Sequence, residues 1–157
     1  METKTNVMRI LEAHKAVYKS YSYIGTGALS GAEVAAALGQ NPDQVFKTLV
    51  TLCNKSKKHH VFMIPVEKEL DLKKAAAAVG EKNIEMIKSK ELLPTTGYVH
   101  GGCSPIGLKK PFPVTIDKTA ENFATIIFSA GKIGYQVETS LSELQKVIDF
   151  TLAAITE

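Results

Sequence analysis

Lys47 interrupts a stretch that otherwise reads as a strand, Val45-Phe46-Lys47-Thr48-Leu49-Val50-Thr51-Leu52-Cys53. β-Branched and aromatic residues dominate it, and neither Gly nor Pro occurs. Period-two alternation puts Phe46, Thr48, Val50 and Leu52 on one face and Lys47, Leu49, Thr51 and Cys53 on the other. An ammonium beside Leu49 either enters a cleft or snorkels past the strand end, because burying it unpaired costs on the order of several kcal/mol. A second candidate is Gly97-Tyr98-Val99-His100-Gly101-Gly102-Cys103-Ser104-Pro105-Ile106-Gly107, with four glycines and one proline in eleven residues. Such a segment is either a tight surface loop or a backbone that aims N–H groups at a ligand oxyanion.

Other chemistries are weaker. His14, His59, His60 and His100 show no pairing at zinc-ligand spacing, and no acidic cluster accompanies them, so no metal or cofactor is expected. Cys103 follows His100 by three residues and could form a reactive thiolate with it; a cysteine there is also a common apolar filler. Ser104 and Ser129 have no evident Ser–His–Asp arrangement. Lys55, Lys57, Lys58, Lys73, Lys74, Lys109 and Lys110 could line a phosphate path, but no aromatic-interleaved RNA motif accompanies them.

These residues need elements to hold them. A helix is expected over 3–14, with Val7, Ile10, Leu11 and His14 at three- and four-residue spacing, then an extended segment from Val17 to Tyr23. Ser30 and Glu33 form a capping-box pattern before a helix whose inner face would be Val34, Ala37 and Leu38, closed by Gly39. The lysine strand follows the Asn41-Pro42 turn. His59 to Val66, apolar on both faces, should be a central strand joined to it as a hairpin. Asp71 caps a helix to Val79, with Leu72, Ala75, Ala76 and Val79 inside. A short strand over 84–87 and a brief helix over 89–93, halted by Pro94 and Gly97, come next. Strands are expected over 114–116, 124–129 and 135–139. A last helix would open with a second capping box at Ser140/Glu143 and bury Leu144, Val147, Ile148, Leu152 and Ile155. The sum is α+β, a mixed and largely antiparallel sheet flanked by helices, in one domain over 1–157.

The 157 residues have an apolar fraction of 45%, a charged fraction of 22%, two cysteines and a net charge of +3. No apolar run is long enough to span a membrane, and the first residues lack a signal-peptide core, so a cytoplasmic location is expected. Two cysteines are too few for a disulfide framework. The charge permits an anionic partner without requiring one.

Three blocks carry a resemblance: Val45-Phe46-Lys47-Thr48-Leu49; Thr96 through Lys110, including Gly101-Gly102-Cys103-Ser104-Pro105; and Phe128-Ser129-Ala130-Gly131-Lys132. In this order, over nearly the whole chain, they resemble the YbaK family of aminoacyl-tRNA deacylases, related to the editing domain of bacterial prolyl-tRNA synthetases. The resemblance implies trans-editing, in which a second site removes a near-isosteric amino acid that a synthetase pocket cannot reject. Cysteine on tRNA(Pro) is the favoured substrate, prolyl-tRNA synthetase a candidate partner, and neither DNA nor a membrane is implied. It further implies Lys47, Gly101 and Gly102 as catalytic and Tyr23, Thr48, Ser104, Pro105 and Ser129 as substrate-binding. For cysteine it implies that the substrate's own thiol attacks the ester. Relatives usually carry Gly-Gly-Lys-Arg-Gly where this chain has Ala130-Gly131-Lys132-Ile133-Gly134, an acidic residue where it has Gln136, and His-Asp after the tyrosine where it has Ile24-Gly25. Three alternatives remain at this point: a non-catalytic tRNA- or synthetase-binding module, a deacylase for another small amino acid, and a Cys103-dependent thiol hydrolase.

Overall fold

The computed structural model describes residues 3–157, so Met1 and Glu2 of the expected 1–157 domain lie outside it. Apolar residues on both faces of His59–Pro65 (β3) require cover on both sides, and β3 lies at the centre of a five-stranded sheet. Phe46–Leu52 (β2) pairs antiparallel with β3 across the polar turn, placing Lys47 opposite Ile64 and Thr48 opposite Met63. Glu85–Met86 (β4) adds antiparallel outside β2. On the other side Val114–Asp117 (β5) joins β3 in parallel, and Thr151–Ala153 (β8) joins β5 in parallel.

A second sheet of three antiparallel strands runs in the order Lys19–Ser22 (β1), Tyr135–Thr139 (β7), Ile126–Ser129 (β6). The class is therefore α+β and largely antiparallel, as the sequence suggests, but the sheet comes in two pieces. Among the described residues one parallel bridge, Val45 to Ile127, pairs their backbones. Past that bridge β2 and β6 run on side by side without further ladder pairing, and this unpaired junction is a fork between the two sheets.

Helices cover both faces. Thr5 caps Asn6–Ala13 (α1) by accepting from the Met8 N–H, and α1 packs Val7, Met8 and Leu11 against Phe46, Val50, Met63 and Phe128. The inner stripe differs from the expected one at its edges: Met8 is buried, while His14 is exposed at the C-cap. Both capping-box hydrogen bonds of Ser30 and Glu33 form at Gly31–Leu38 (α2), which Gly39 ends in the left-handed conformation. Its buried residues are Val34 and Ala35, not Ala37, and Ala35 covers Val45 and Ile127. Asp71 caps Leu72–Ala78 (α3), whose Ala75 and Ala76 cover Phe62 and Ile64; Leu72 is exposed.

Two expectations fail. Pro94 does not halt Ser89–Thr96 (α4), which runs past it; of the two expected stops, the left-handed Gly97 ends it. The only bond forfeited is that to the Lys90 carbonyl, one turn earlier at an exposed helix start. The long terminal helix is absent. Leu141–Leu144 (α5) is a single turn, and the chain then extends into β8. Ser140 still caps Glu143, but the Glu143 carboxylate accepts from the Val17 N–H at 2.6 Å and does not close a reciprocal box. The buried Asp117 side chain takes the Ile155 N–H at 3.1 Å, a tertiary bond that holds the last segment extended beside β5.

Candidate functional site

Lys47 and Ser129 each stand two residues past the Val45–Ile127 bridge, so alternation places both side chains on the bridge's face, one on each arm of the fork. Val45 and Ile127 behind them are roofed by α2, and Ile64 beside Lys47 is roofed by α3. Lys47 occupies the interval between the two roofs and is half-buried. Among the described residues its ammonium has neither an ion pair nor a hydrogen bond, whereas Lys4 and Lys146 are each paired with a carboxylate.

The row continues across the smaller sheet. Ser129 pairs with Gln136, and Gln136 with Tyr21. The buried Tyr23 follows two residues later, its N–H donating to the Gly134 carbonyl at 2.8 Å. Ser129 Oγ accepts from the Gly131 N–H at 3.1 Å and so closes the turn after β6. Gly131 is left-handed there, and a Cβ on it would lie 2.8 Å from Val7 and 3.0 Å from the Tyr98 ring.

The glycine-rich loop lies directly on this turn. A Cβ on Gly102 would come within 3.3 Å of the Ile133 nitrogen. Tyr98 pins the loop by donating its hydroxyl to the Ile106 carbonyl, and buried Thr96 ties its base to Leu92. Burial pushes the Tyr98 phenol up to about 12, so it stays a donor. The Gly102 N–H is already committed to the Val99 carbonyl at 3.0 Å. No described acceptor meets the N–H groups of Gly101, Cys103 or Ser104, although Cys103 and Ser104 are buried. Ser104 Oγ accepts from the Ile106 N–H at 3.4 Å, and Pro105 is buried beside it.

The remaining candidates separate. Thr48 points to the face opposite Lys47, its hydroxyl buried and without a partner. Cys103 is not a thiolate: burial pushes its thiol up to about 12, and His100 is exposed. Among the described residues no group of three or more His, Cys, Asp or Glu side chains could hold a metal ion, and no helix is long and apolar enough to cross a membrane. Of two sizeable clefts, the first lies away from the fork and the second reaches the end of the glycine-rich loop at Pro105 and Gly107. The first, of about 610 Å³, lies between the β2–β3 turn and the turn after α3; the second, about 490 Å³, lies among Leu108, Phe112, Val147 and Ile148.

Gln40 has no signal in the sequence beyond following a helix-ending glycine. Its Nε2 donates to Gln136 Oε1 at 2.8 Å, and its own Oε1 is buried without a partner. Glu138 lies one step further along the same face. Burial acts to raise its pKa, but hydrogen bonds from Thr125 and Tyr21 outweigh that and hold it below the usual carboxylate range.

Comparison with known proteins bears on this site. The family described as the aminoacyl-tRNA editing domain matches residues 27–147. A protein of Enterococcus faecalis, provisionally named Cys-tRNA(Pro)/Cys-tRNA(Cys) deacylase EbsC, is 45% identical over 156 residues, covering 99% of this chain and 94% of that protein. A proline–tRNA ligase of Shouchella clausii is 29% identical over 103 residues, which is 66% of this chain and 18% of the ligase. A crystal structure provisionally described as a trans-editing enzyme for prolyl-tRNA synthetase superposes with a TM-score of 0.83 at 22% identity, over 99% of each chain. That last likeness is one of fold.

Proposed function

This chain belongs to the aminoacyl-tRNA editing-domain family, and from that premise we propose that it is a cytoplasmic, single-domain trans-editing deacylase whose site is the fork between β2 and β6. Cysteine attached to tRNA(Pro) is the substrate the reading favours. A prolyl-tRNA synthetase still holding its tRNA would supply tRNA selection, since a net charge of +3 offers little of it.

The observation that carries the reading is the unpaired Lys47 ammonium on one arm of the fork, with Gly101 and Ser104 N–H groups unspent in the loop lying on the other arm's turn. A polar group that the fold leaves unpaired is free to bind a ligand, and where it is buried, as at Ser104, leaving it unpaired is costly. An aminoacyl ester is already activated, so the site must chiefly position it and stabilise an oxyanion. Lys47 holds the ester carbonyl or the terminal adenosine's phosphate. The Gly101 and Ser104 N–H groups take the developing oxyanion. Gly102 contributes by lacking a side chain, which lets the loop approach Ile133. Tyr23, Pro105 and Ser129 line the amino-acid end, and Thr48 braces the strand from its other face.

For cysteine the substrate supplies its own nucleophile. Its sulfur bonds to the ester carbon, the C–O bond to the ribose breaks, and the thiol proton ends on the ribose hydroxyl; the amino acid leaves as a cyclic thioester. Cys103 then has no nucleophilic part. The test is deacylation of cysteinyl-tRNA(Pro) by wild type, Lys47→Ala and Cys103→Ala. Loss of the ester with wild type and Cys103→Ala, and its persistence with Lys47→Ala, is the expected result. No turnover by wild type on cysteinyl-, alanyl-, seryl- or prolyl-tRNA would refute the deacylase and leave a binding module.

A further inference from the structure

Gln40 reaches the row of fork residues from the end of α2, outside every sequence block that marked the site. It is anchored at one end: Nε2 donates to Gln136 Oε1 at 2.8 Å. Gln136 is 5% exposed and pairs directly with Ser129. The other end of the Gln40 amide is an acceptor buried without any donor. A buried amide oxygen left unsatisfied carries a desolvation cost that a bound N–H would relieve. Lys47 and Gln136 flank Ser129 on successive strands, so their backbones are roughly 10 Å apart, about two strand spacings. That interval suits an amino-acid ester lying between the two side chains.

An α-aminoacyl ester has two polar features close together, a carbonyl and an ammonium. Lys47 and the loop N–H groups are all donors and can serve only the carbonyl side. Gln40 Oε1 is an acceptor and needs the other kind of partner. The two amides carry no charge, and the nearest carboxylate on this face, Glu138, is occupied by Tyr21 and Thr125. We infer that Gln40, held by Gln136, is the receptor for the substrate's free α-ammonium and makes the site select unblocked aminoacyl esters over N-acylated ones. This rests on the deacylase reading above and assigns the half of the site that Lys47 cannot serve.

The experiment compares deacylation of cysteinyl-tRNA(Pro) with that of its N-acetyl counterpart, for wild type, Gln40→Leu and Gln40→Glu. Wild type should prefer the free amine by about tenfold to a hundredfold, the range for one hydrogen bond to a charged group. Gln40→Leu should lose most of that preference by slowing on the free amine alone. Gln40→Glu, which keeps an acceptor that Gln136 can still hold by turning its amide, should retain or increase the preference. A merely structural role would slow both substrates equally and leave the ratio unchanged, which would overturn the inference while leaving the deacylase intact. A wild type inactive on both substrates would instead remove the reading on which the inference depends. If Gln40→Leu fails to fold, Gln40→Glu decides alone: a preference lost despite the retained acceptor refutes the inference.

Discussion

The two ends of β2 carry similar kinds of residue and treat them in opposite ways. At the far end, around the turn into β3, lie Cys53, Ser56, His60, Glu81 and Glu85, on or beside a cleft of about 610 Å³. These groups satisfy one another. Ser56 donates to Glu81 at 2.6 Å, His60 Nε2 meets the same carboxylate at 3.2 Å, and Asn54 donates to Glu85 at 2.5 Å. Hydrogen bonding from Ser56 is the main reason Glu81 stays below the usual carboxylate range. Among the described buried side-chain atoms there, His60 Nδ1 alone is left over, while the unpaired Lys55 and Lys82 on the rim are exposed to solvent. At the fork end Lys47, the N–H groups of Gly101, Cys103 and Ser104, and the Gln40 oxygen are all unspent. Room and reactive residue types thus point to one end, and uncommitted polar groups to the other. The second criterion carries more chemistry, because a group already paired must break that pairing before it can act.

The largest contrast comes from removing one side chain at each end. Lys47→Ala should lower deacylation by about 10²-fold or more, the scale for removing one preorganised donor. His60→Gln should leave activity per folded molecule within about twofold and lower the melting temperature, because Glu81 loses its ring partner. Paired assays of turnover and thermal unfolding check both. If His60→Gln abolishes turnover and Lys47→Ala does not, the active end has been misassigned.

Glycines sharpen the same contrast. Gly80 at the far end is left-handed with nothing within 4 Å of a Cβ, whereas Gly131 at the fork is left-handed and crowded by Val7 and Tyr98. Gly80→Ala should therefore cost only the backbone term, about 1 kcal/mol. Gly131→Ala adds overpacking and should cost about 2–4 kcal/mol. Urea unfolding of the two variants measures the difference. Equal costs would mean that the turn and Tyr98 yield easily and do not hold the loop rigidly.

How much of the fold and site was legible depended on whether a residue violated its local pattern. Lys47 stood out because an ammonium sat in an apolar strand, and the loop because of its glycine density. Ser30, Asp71 and Gly39 announced helix ends through capping chemistry that is local in sequence. The C-terminal segment misled because Leu144, Val147, Ile148, Leu152 and Ile155 fit a helical stripe equally well. What decides against the helix is parallel pairing with β5 and the Asp117–Ile155 bond, a contact across 38 residues that no window shows. The division into two sheets was hidden for the same reason, since a single bridge joins segments 82 positions apart. Gln40 broke no pattern: a polar residue after a helix is ordinary, and only its tertiary partner makes it notable.

The cysteines give a smaller test. Cys103 at the fork and Cys53 at the far end are both buried. With the Cys103 thiol near 12, only about one part in ten thousand is thiolate at pH 8. A thiol reagent should leave the native protein nearly unmodified at that pH and label both cysteines after unfolding in urea. Fast native labelling of Cys103, accompanied by loss of turnover, would restore the thiol-dependent reading and weaken the role given to Lys47.

The smallest expected effect concerns the carboxylate that lies on the fork face but outside the proposed chemistry. Glu138 accepts from Thr125 and Tyr21, and those bonds lower its pKa despite the opposing effect of burial. Because the folded value lies below the unfolded one, this group's stabilisation is complete above the unfolded carboxylate range. It fades as pH falls through that range toward the folded value. Tyr21→Phe removes one donor, brings the folded value closer to the unfolded one, and should flatten the acid limb of stability. Urea midpoints for wild type and Tyr21→Phe, taken at neutral pH and again below the carboxylate range, should differ at neutral pH and converge in acid. A gap that persists in acid would show that the Tyr21 hydroxyl stabilises the sheet whether or not Glu138 is ionised, so the charge on Glu138 is not held by it. Glu138 would then be free to compete with Gln40 for a substrate ammonium, and the neutral receptor proposed there would need a charged partner.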